Sequence, residues 1–406
     1  MINFYYDKIF KNWPLPNGAL NKKYFFQKYC GYQLPPGYPV QSFNYFYFLA
    51  KKNNIAPILF TGDQFADNLY YPIEMRANGD IPIVENIPKK SLKRLKKGKM
   101  KLLLICFGAT GYEQYSLIKA QIDKFTEYGV KDITVVTDEL NGVFRKYLDV
   151  KLLSFDYSQV LAQQILRSSK NTWLTKEKLY KYTEFDVDSF SPTELYHSYQ
   201  PHHIMHKISL IAELDYRNLP LSFNNIAGPT YNYNDPIIYD KWRSNSENDL
   251  LRPFLEKYIN NNTDYVDNFE QHINSFITVH NQNSTGTGNV LPEELHSIHT
   301  DVLTWFYIAM GKPFIVFGSY NIMAYLNNEG YFTFGNIINE AYDRCSNIPQ
   351  RASLIADELE RINTDLQSSV STYHEFTKLY KSNRVKFLSK DHLSRFINLY
   401  DSIQFR

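Results

Sequence analysis

"GKPFIVFGSYNIMAYLNNEGYFTF", residues 311–334, reads as turn, strand, glycine corner, helix and aromatic end. The continuous apolar run "PFIVF" is what a parallel strand covered on both faces requires. Gly318 ends the run, and Ser319 offers an oxygen able to cap the first amides of the helix over "SYNIMAYLNNEG". A strand end meeting a helix start is also where an open α/β sheet takes its ligands. Two readings of the corner therefore stay open: a plain strand-to-helix turn, or the floor of a binding site.

The same grammar recurs upstream. "KLLLICF" (101–107) is a second buried-strand run, followed by "GATG" and a helix in which Leu117, Ile118, Ile122 and Phe125 recur on one side. "DITVVTD" (132–138) and "VKLLSFD" (150–156) read as further strands, with a helix starting near Leu140 between them. Strand-helix-strand at this spacing predicts a doubly wound sheet. Shorter strands are expected at 56–62 and 81–87, an irregular aromatic wrap at 1–45, and helical or irregular chain from 160 to 200. Downstream, "IMHKISLIAELDYRNLP" (204–220), 248–260, "PEELHSIHTDVLTWFYIAMG" (from 292) and "SLIADELERINTDL" (353–366) read as helices. A strand falls within "INSFITVHNQ" (273–282), and "NSTGTGN" (283–289) is a small-polar loop. The expected fold is α/β, with two Rossmann-like domains facing a cleft. The boundaries are 1–200, 201–370, and a helical segment 371–406 packing back on the first domain.

Length and composition agree with this. A chain of 406 residues exceeds what one hydrophobic core usually serves. Its 44 basic and 42 acidic residues give a net charge of +2, which is no general nucleic-acid footprint. The basic run "KKSLKRLKKGKMK" (89–101) is the exception, either a solvated helix face or a contact for an anionic partner. The 33 Tyr and 28 Phe are compatible with coding bias or with broad contact surfaces. Cys30, Cys106 and Cys345 make neither a disulfide framework nor a metal knuckle, which fits a reducing compartment. No apolar run approaches 18 residues and "MINFYYDKIFKNW" has no leader pattern, so a soluble, cytoplasmic protein without a membrane span is expected.

Four stretches carry candidate chemistry. In "FGATG", Gly108, Thr110 and Gly111 sit where free amides can hold an anion, although neither the dinucleotide fingerprint nor a phosphate loop is present. "FGSY" contributes Gly318, Ser319 and Tyr320. "PHHIMHK" (201–207) gathers His202, His203, His206 and Lys207. His206 can serve as a base near neutral pH, and His203 and Lys207, four apart, share a helix face. A third metal ligand is missing there, so no metal is expected. "HSIHTD" (296–301) provides Asp301, a carboxylate for ribose or sugar hydroxyls, while Thr300 can cap the apolar run after it.

Three of these stretches resemble glycosyltransferase-like proteins of tailed phages and marine bacteria. The densest likeness is "GKPFIVFGSYNIMAYLNNEGYFTFGNIINEAYD" (311–343), similar to that family's "aGkPFivfG … lGfkTF … ideSYD" run. "QPHHIMHKISLIAELDYRNL" resembles its basic segment, with His203 and Lys207 at arginine positions and His206 at the histidine. "IPKKSLKRLKKGKMKLLLICFGATG" is similar to its first strand opening. The resemblance implies a GT-B-like fold and a nucleotide-sugar donor, a UDP-sugar first, bound mainly by the C-terminal domain. It also implies cytoplasmic action, in a host cell if the chain is phage-encoded, on an acceptor such as a modified DNA base or a surface glycan. Under inverting chemistry His206 and Asp301 would be catalytic, with His203, Lys207 and the glycine-corner residues on the donor; a retaining course stays open. One departure stands out. The family's Thr-Glu-Lys motif is here Asp301-Val302-Leu303, and valine cannot hydrogen-bond a hydroxyl. Two alternatives follow: a non-catalytic structural or host-interaction protein on the same fold, or a nucleic-acid binder using residues 89–101. Donor sugar, acceptor and oligomeric state are not written in the sequence.

Overall fold

The computed structural model describes residues 3–5, 59–61, 69–75, 84, 87–106, 111–167, 182–199, 205–219, 223–224, 273–282, 296–389, 395, 398–399 and 402–403. The chain divides into two units. Unit 1 comprises Met1–Thr175, Glu294–His299 and Asp391–Arg406; unit 2 comprises Lys176–Glu293 and Thr300–Lys390. Each is built on a parallel sheet flanked by helices, a Rossmann-like arrangement. Expectations for 1–45, 248–260 and 283–289, and for Gly108, Thr110 and His203, fall mainly or wholly outside the described residues.

In unit 1 the strands are β1 (Asn3–Tyr5), β2 (Leu59–Thr61), β3 (Leu69–Met75), β4 (Lys101–Cys106), β5 (Ile133–Thr137) and β6 (Lys151–Ser154). Their spatial order is β2-β1-β3-β4-β5-β6, every pair parallel. After Lys101, β4 is apolar because both of its faces are covered: Leu102 to Cys106 are all buried. Leu102, Leu104 and Cys106 share one cluster with Ile118, Ile122 and Phe125 of α2 (Gly111–Glu127) and Leu95 of α1 (Lys89–Lys96). α3 (Tyr157–Arg167) follows β6.

β1 is a strand within the 1–45 stretch read as an irregular wrap, and two further elements here differ from the sequence reading. The 81–87 run contributes no strand at its described positions: Val84 lies in a 3-10 turn and Ile87 in a bend. Pro82 and Pro88 frame that run and can donate nothing to a ladder. The strand beside β4 is instead β3, which carries Pro72. β1 pairs with β3 only as far as Tyr70, so the missing Pro72 amide breaks no bond on that side. Near Leu140 the expected helix is a 3-10 helix, Val143–Lys146, entered through Gly142 at φ 71.

Unit 2 contains β7 (Glu194–Tyr199), β8 (Phe223–Asn224), β9 (Ser275–Asn281) and β10 (Phe314–Phe317), in the order β10-β9-β7-β8, again all parallel. From β7 the chain goes to β8 on one side and then crosses to β9 on the other. The sheet's topological switch point therefore lies between the carboxyl ends of β7 and β9. β7 sits inside a stretch read as helical or irregular. Its buried His197 and Ser198 are polar, so it lacks the apolar signature of a central strand.

The helices are α4 (Met205–Tyr216), α5 (Val302–Met310), α6 (Ile322–Asn328), α7 (Ile348–Thr364), α8 (Leu366–Glu375) and α9 (Thr377–Ser389). α5 starts later than its apolar pattern suggests, because Asp301, not Thr300, caps it: the carboxylate accepts from the Thr304 amide at 2.8 Å. The Thr300 hydroxyl accepts from Trp305 Nε1 instead. Much of the aromatic content of the described residues lies inside this unit. Trp305 stacks on Phe387 at 5.6 Å, Tyr373 on Tyr380 at 5.4 Å, and the Tyr373 hydroxyl donates to Gly311 O. α9 thus packs on α5 within unit 2, whereas Ile403 O accepts from the buried Tyr70 hydroxyl in unit 1. Among the described residues no helix is long and apolar enough to cross a membrane.

Candidate functional site

β10 supplies the corner. Its four residues are buried, and Gly311 before it stands at φ 76 with Tyr380 O 3.3 Å from where a Cβ would be. Lys312 is buried and donates to Ser275 Oγ (2.8 Å) and Thr278 Oγ1 (3.0 Å). Ser275 opens β9 and Thr278 pairs with Phe314, so this lysine ties the amino end of the sheet and does not serve the corner. Burial pushes its pKa well below the usual lysine value.

At the carboxyl end, Gly318 is a close-approach glycine. A Cβ there would stand 2.1 Å from Gln282 Oε1 and 2.6 Å from Gln282 Cβ. The Gln282 side chain crosses the corner, accepting from the Ser319 amide at 2.8 Å and donating to Thr304 Oγ1 at 3.3 Å. Thr304 Oγ1 donates in turn to Asp301 Oδ1 at 2.8 Å. Asp301 and Ser319, singled out separately in the sequence, are therefore the ends of one hydrogen-bonded chain. The other Asp301 oxygen lies 2.7 Å from Nε2 of the buried His280. Burial raises the Asp301 pKa, but the His280 charge and the bonds from His280 and Thr304 outweigh it. The carboxyl is held below its ordinary value. Asn281 donates to Ser198 Oγ at 3.0 Å, stitching β9 to β7 at the switch point.

Ser319 is not the cap of α6. That helix starts from Asn321 at φ 56, which makes no side-chain cap bond. Its first amides go to Asp343: Ile322 N to Oδ1 at 3.0 Å, Met323 N and Ala324 N to Oδ2 at 3.0 and 3.3 Å. The turn thus carries its own acceptor for these amides. Burial pushes Asp343 up to about 7, against the opposing pull of the Ala324 and Met323 amides and the Arg351 charge. Arg351, fully buried on α7, donates from Nε to Cys345 O at 2.6 Å and from Nη1 to Gly318 O. Its Cζ stands 6.0 Å from the Tyr320 ring centre. Burial lowers its pKa while Asp343 supports it.

Connectivity brings a further expected group to this end of the sheet. β7 ends at Tyr199 and α4 begins at Met205, so His206 and Lys207 lie in the first turn of the helix that follows the switch-point strand. Their side chains, like His203, are outside the described residues. Gly111 opens α2 after β4.

His280, Gln282, Asp343 and Arg351 escaped the sequence reading. Gln282 and His280 had a signal in "VHNQ", where polar residues close an apolar strand. Arg351 also had one: it lies four residues before Ile355 on the stripe that buries Ile355, Leu359 and Ile362, an inward position for a charge.

Unit 1 holds a second polar cluster at the carboxyl ends of β4 and β5. Gln114 Nε2 donates to Cys106 O at 3.0 Å and to Asp138 Oδ1 at 2.6 Å. His299 Nδ1 lies 3.5 Å from Asp138, and its Nε2 lies 2.8 Å from Ser297 Oγ. Buried Glu139 accepts from the Val143 amide, and burial raises its pKa. Among the described residues no group of three or more His, Cys, Asp or Glu is placed to hold a metal ion. No protein-family model matches the chain, and no curated protein matches it.

Proposed function

We propose that the chain is a GT-B-like glycosyltransferase that moves a sugar from a nucleotide-sugar donor, a UDP-sugar, to an acceptor hydroxyl. The observation that carries this reading is the convergence on one sheet edge in unit 2. Asp301, Gln282, Ser319 and the α4 turn bearing His206 and Lys207 all belong to the carboxyl end of a parallel sheet at its switch point. In this reading Asp301 orients a ribose or sugar hydroxyl, Lys207 and His203 neutralise the leaving diphosphate, and His206 takes the acceptor proton. Because Asp343 already holds the α6 amides, neutralisation rests on the basic residues rather than on that helix. The acceptor is a modified DNA base or a surface glycan. The test is a panel of nucleotide sugars scored for binding and for slow hydrolysis. UDP-sugars should bind, and Lys207→Ala and Asp301→Asn should each weaken them. A panel without binding or hydrolysis would sink the proposal.

A second reading, a non-catalytic protein on the same fold, is favoured by the filled corner. Gln282 covers Gly318, Asp343 holds the helix amides, and Val302 stands where the resembling family has a carboxylate. The same panel separates the two.

A further inference from the structure

α6, the segment 335–344 and Arg361 of α7 enclose a groove of about 740 Å³ in unit 2. Its floor includes the buried apolar side chains of Met323 and Ile337, and polar groups surround it. Glu340 is half-buried. Thr333 donates to its Oε2 at 3.0 Å, while Oε1 is buried with no hydrogen-bond partner. A buried acceptor left in that state calls for a donor. Arg344 is exposed; burial raises the Glu340 carboxyl pKa, and the Arg344 charge draws it down. Arg361 is held in place by Glu358, through Nε to Oε2 at 2.9 Å and Nη2 to Oε1 at 2.5 Å. Asn327 and Asn336 add exposed amides on the same groove. Two guanidinium groups, an unsatisfied carboxylate oxygen and side-chain amides over an apolar floor, beside an Asp343 carboxyl already occupied by the α6 amides, match one kind of ligand. Such a ligand offers an anionic group and several hydroxyls.

We infer that this groove binds a small polyhydroxylated anion, a sugar phosphate or a sugar acid. Arg344 and Arg361 take the anionic group, and Glu340 Oε1 accepts from a hydroxyl. The groove is separate from the donor chemistry proposed at the strand ends, and the inference does not depend on it. Loss of nucleotide-sugar binding would leave this site standing.

The experiment is a calorimetric titration of the full chain with glucose 6-phosphate, glucuronate, glucose and inorganic phosphate. It is repeated on Arg344→Ala and Glu340→Gln, with melting curves to establish that both variants fold. At least one sugar anion should bind, with neutral glucose and inorganic phosphate each weaker, and the tighter of the two sugar anions identifies the anionic group. Each substitution should weaken it on the order of ten-fold. Exposed Arg344 can be removed without touching the core, so its variant keeps the test decisive if Glu340→Gln is unstable. The inference is overturned if neither sugar anion binds, if Arg344→Ala binds as the parent does, or if inorganic phosphate binds as tightly as the sugar phosphate.

Discussion

Gly318 is the residue at which reading and structure meet most closely. The sequence marks it as a corner; the reason it must be glycine is Gln282, 36 positions earlier, whose side chain occupies the space a Cβ would need. No local pattern carries that information, because the approach exists only once β9 and β10 are paired. Gly318→Ala should displace Gln282 and strip the Ser319 amide of its acceptor. Overpacking and a broken buried hydrogen bond together cost about 2–4 kcal/mol. Denaturant melts of the single variants and of Gly318→Ala/Gln282→Ala check it, and the double variant should lose clearly less than the sum. A second residue-scale prediction concerns His197, buried in β7, where burial and then the Lys312 charge lower the imidazole to about 4. The unfolded side chain titrates near about 6.5. Between these values the unfolded chain holds the extra proton, so stability is full above about 6.5 and falls as pH drops toward 4. The largest effect is about 3 kcal/mol. Unfolding free energies measured across that window should show a shallower acid loss in His197→Gln than in the parent.

Among the elements, those with an uninterrupted pattern were legible: β4, β5, β10, α2 and α7 all fall where apolar periodicity puts them. β7 was not, since His197 and Ser198 are buried through polar contacts and erase the alternation. The late start of α5 was hidden too, because the pattern cannot say whether Thr300 or Asp301 becomes the cap. α1 shows the limit differently. Its inward side is Ser91 and Leu95, and Lys89, Lys90, Lys93, Lys96 and Lys97 are all exposed, with Lys99 just beyond. No acidic side chain within the helix offsets them. If the acceptor is DNA, this face neutralises phosphate charge. Replacing Lys89, Lys93, Lys96 and Lys97 with Gln should then weaken duplex binding and flatten its dependence on log salt by roughly 0.9 for each phosphate no longer neutralised. Unchanged binding and slope would remove the face from any DNA role.

At the scale of the whole molecule, each unit repeats one device, a parallel sheet whose first strand in sequence is flanked by the next two. Strand spacing made the two α/β units readable but not that repetition, because β1 and β7, the first strand of each device, fall in stretches read as irregular or helical. Composition and spacing could not show that, among the described residues, tyrosine and phenylalanine lie largely in the interior, as around Tyr373, Tyr380 and Phe387. Nor could they show that the turn after β10 carries its own acceptor in Asp343, which takes three α6 amides and lies beside Arg351. The glycosyltransferase proposal stands on the switch-point edge of β7, β9 and β10, and a crystal structure grown with saturating uridine diphosphate probes that edge without intermediaries. The diphosphate should lie against the α4 turn of His206 and Lys207, with the ribose toward Asp301. Uridine diphosphate absent from that edge, or bound only elsewhere on the chain, would contradict the proposal.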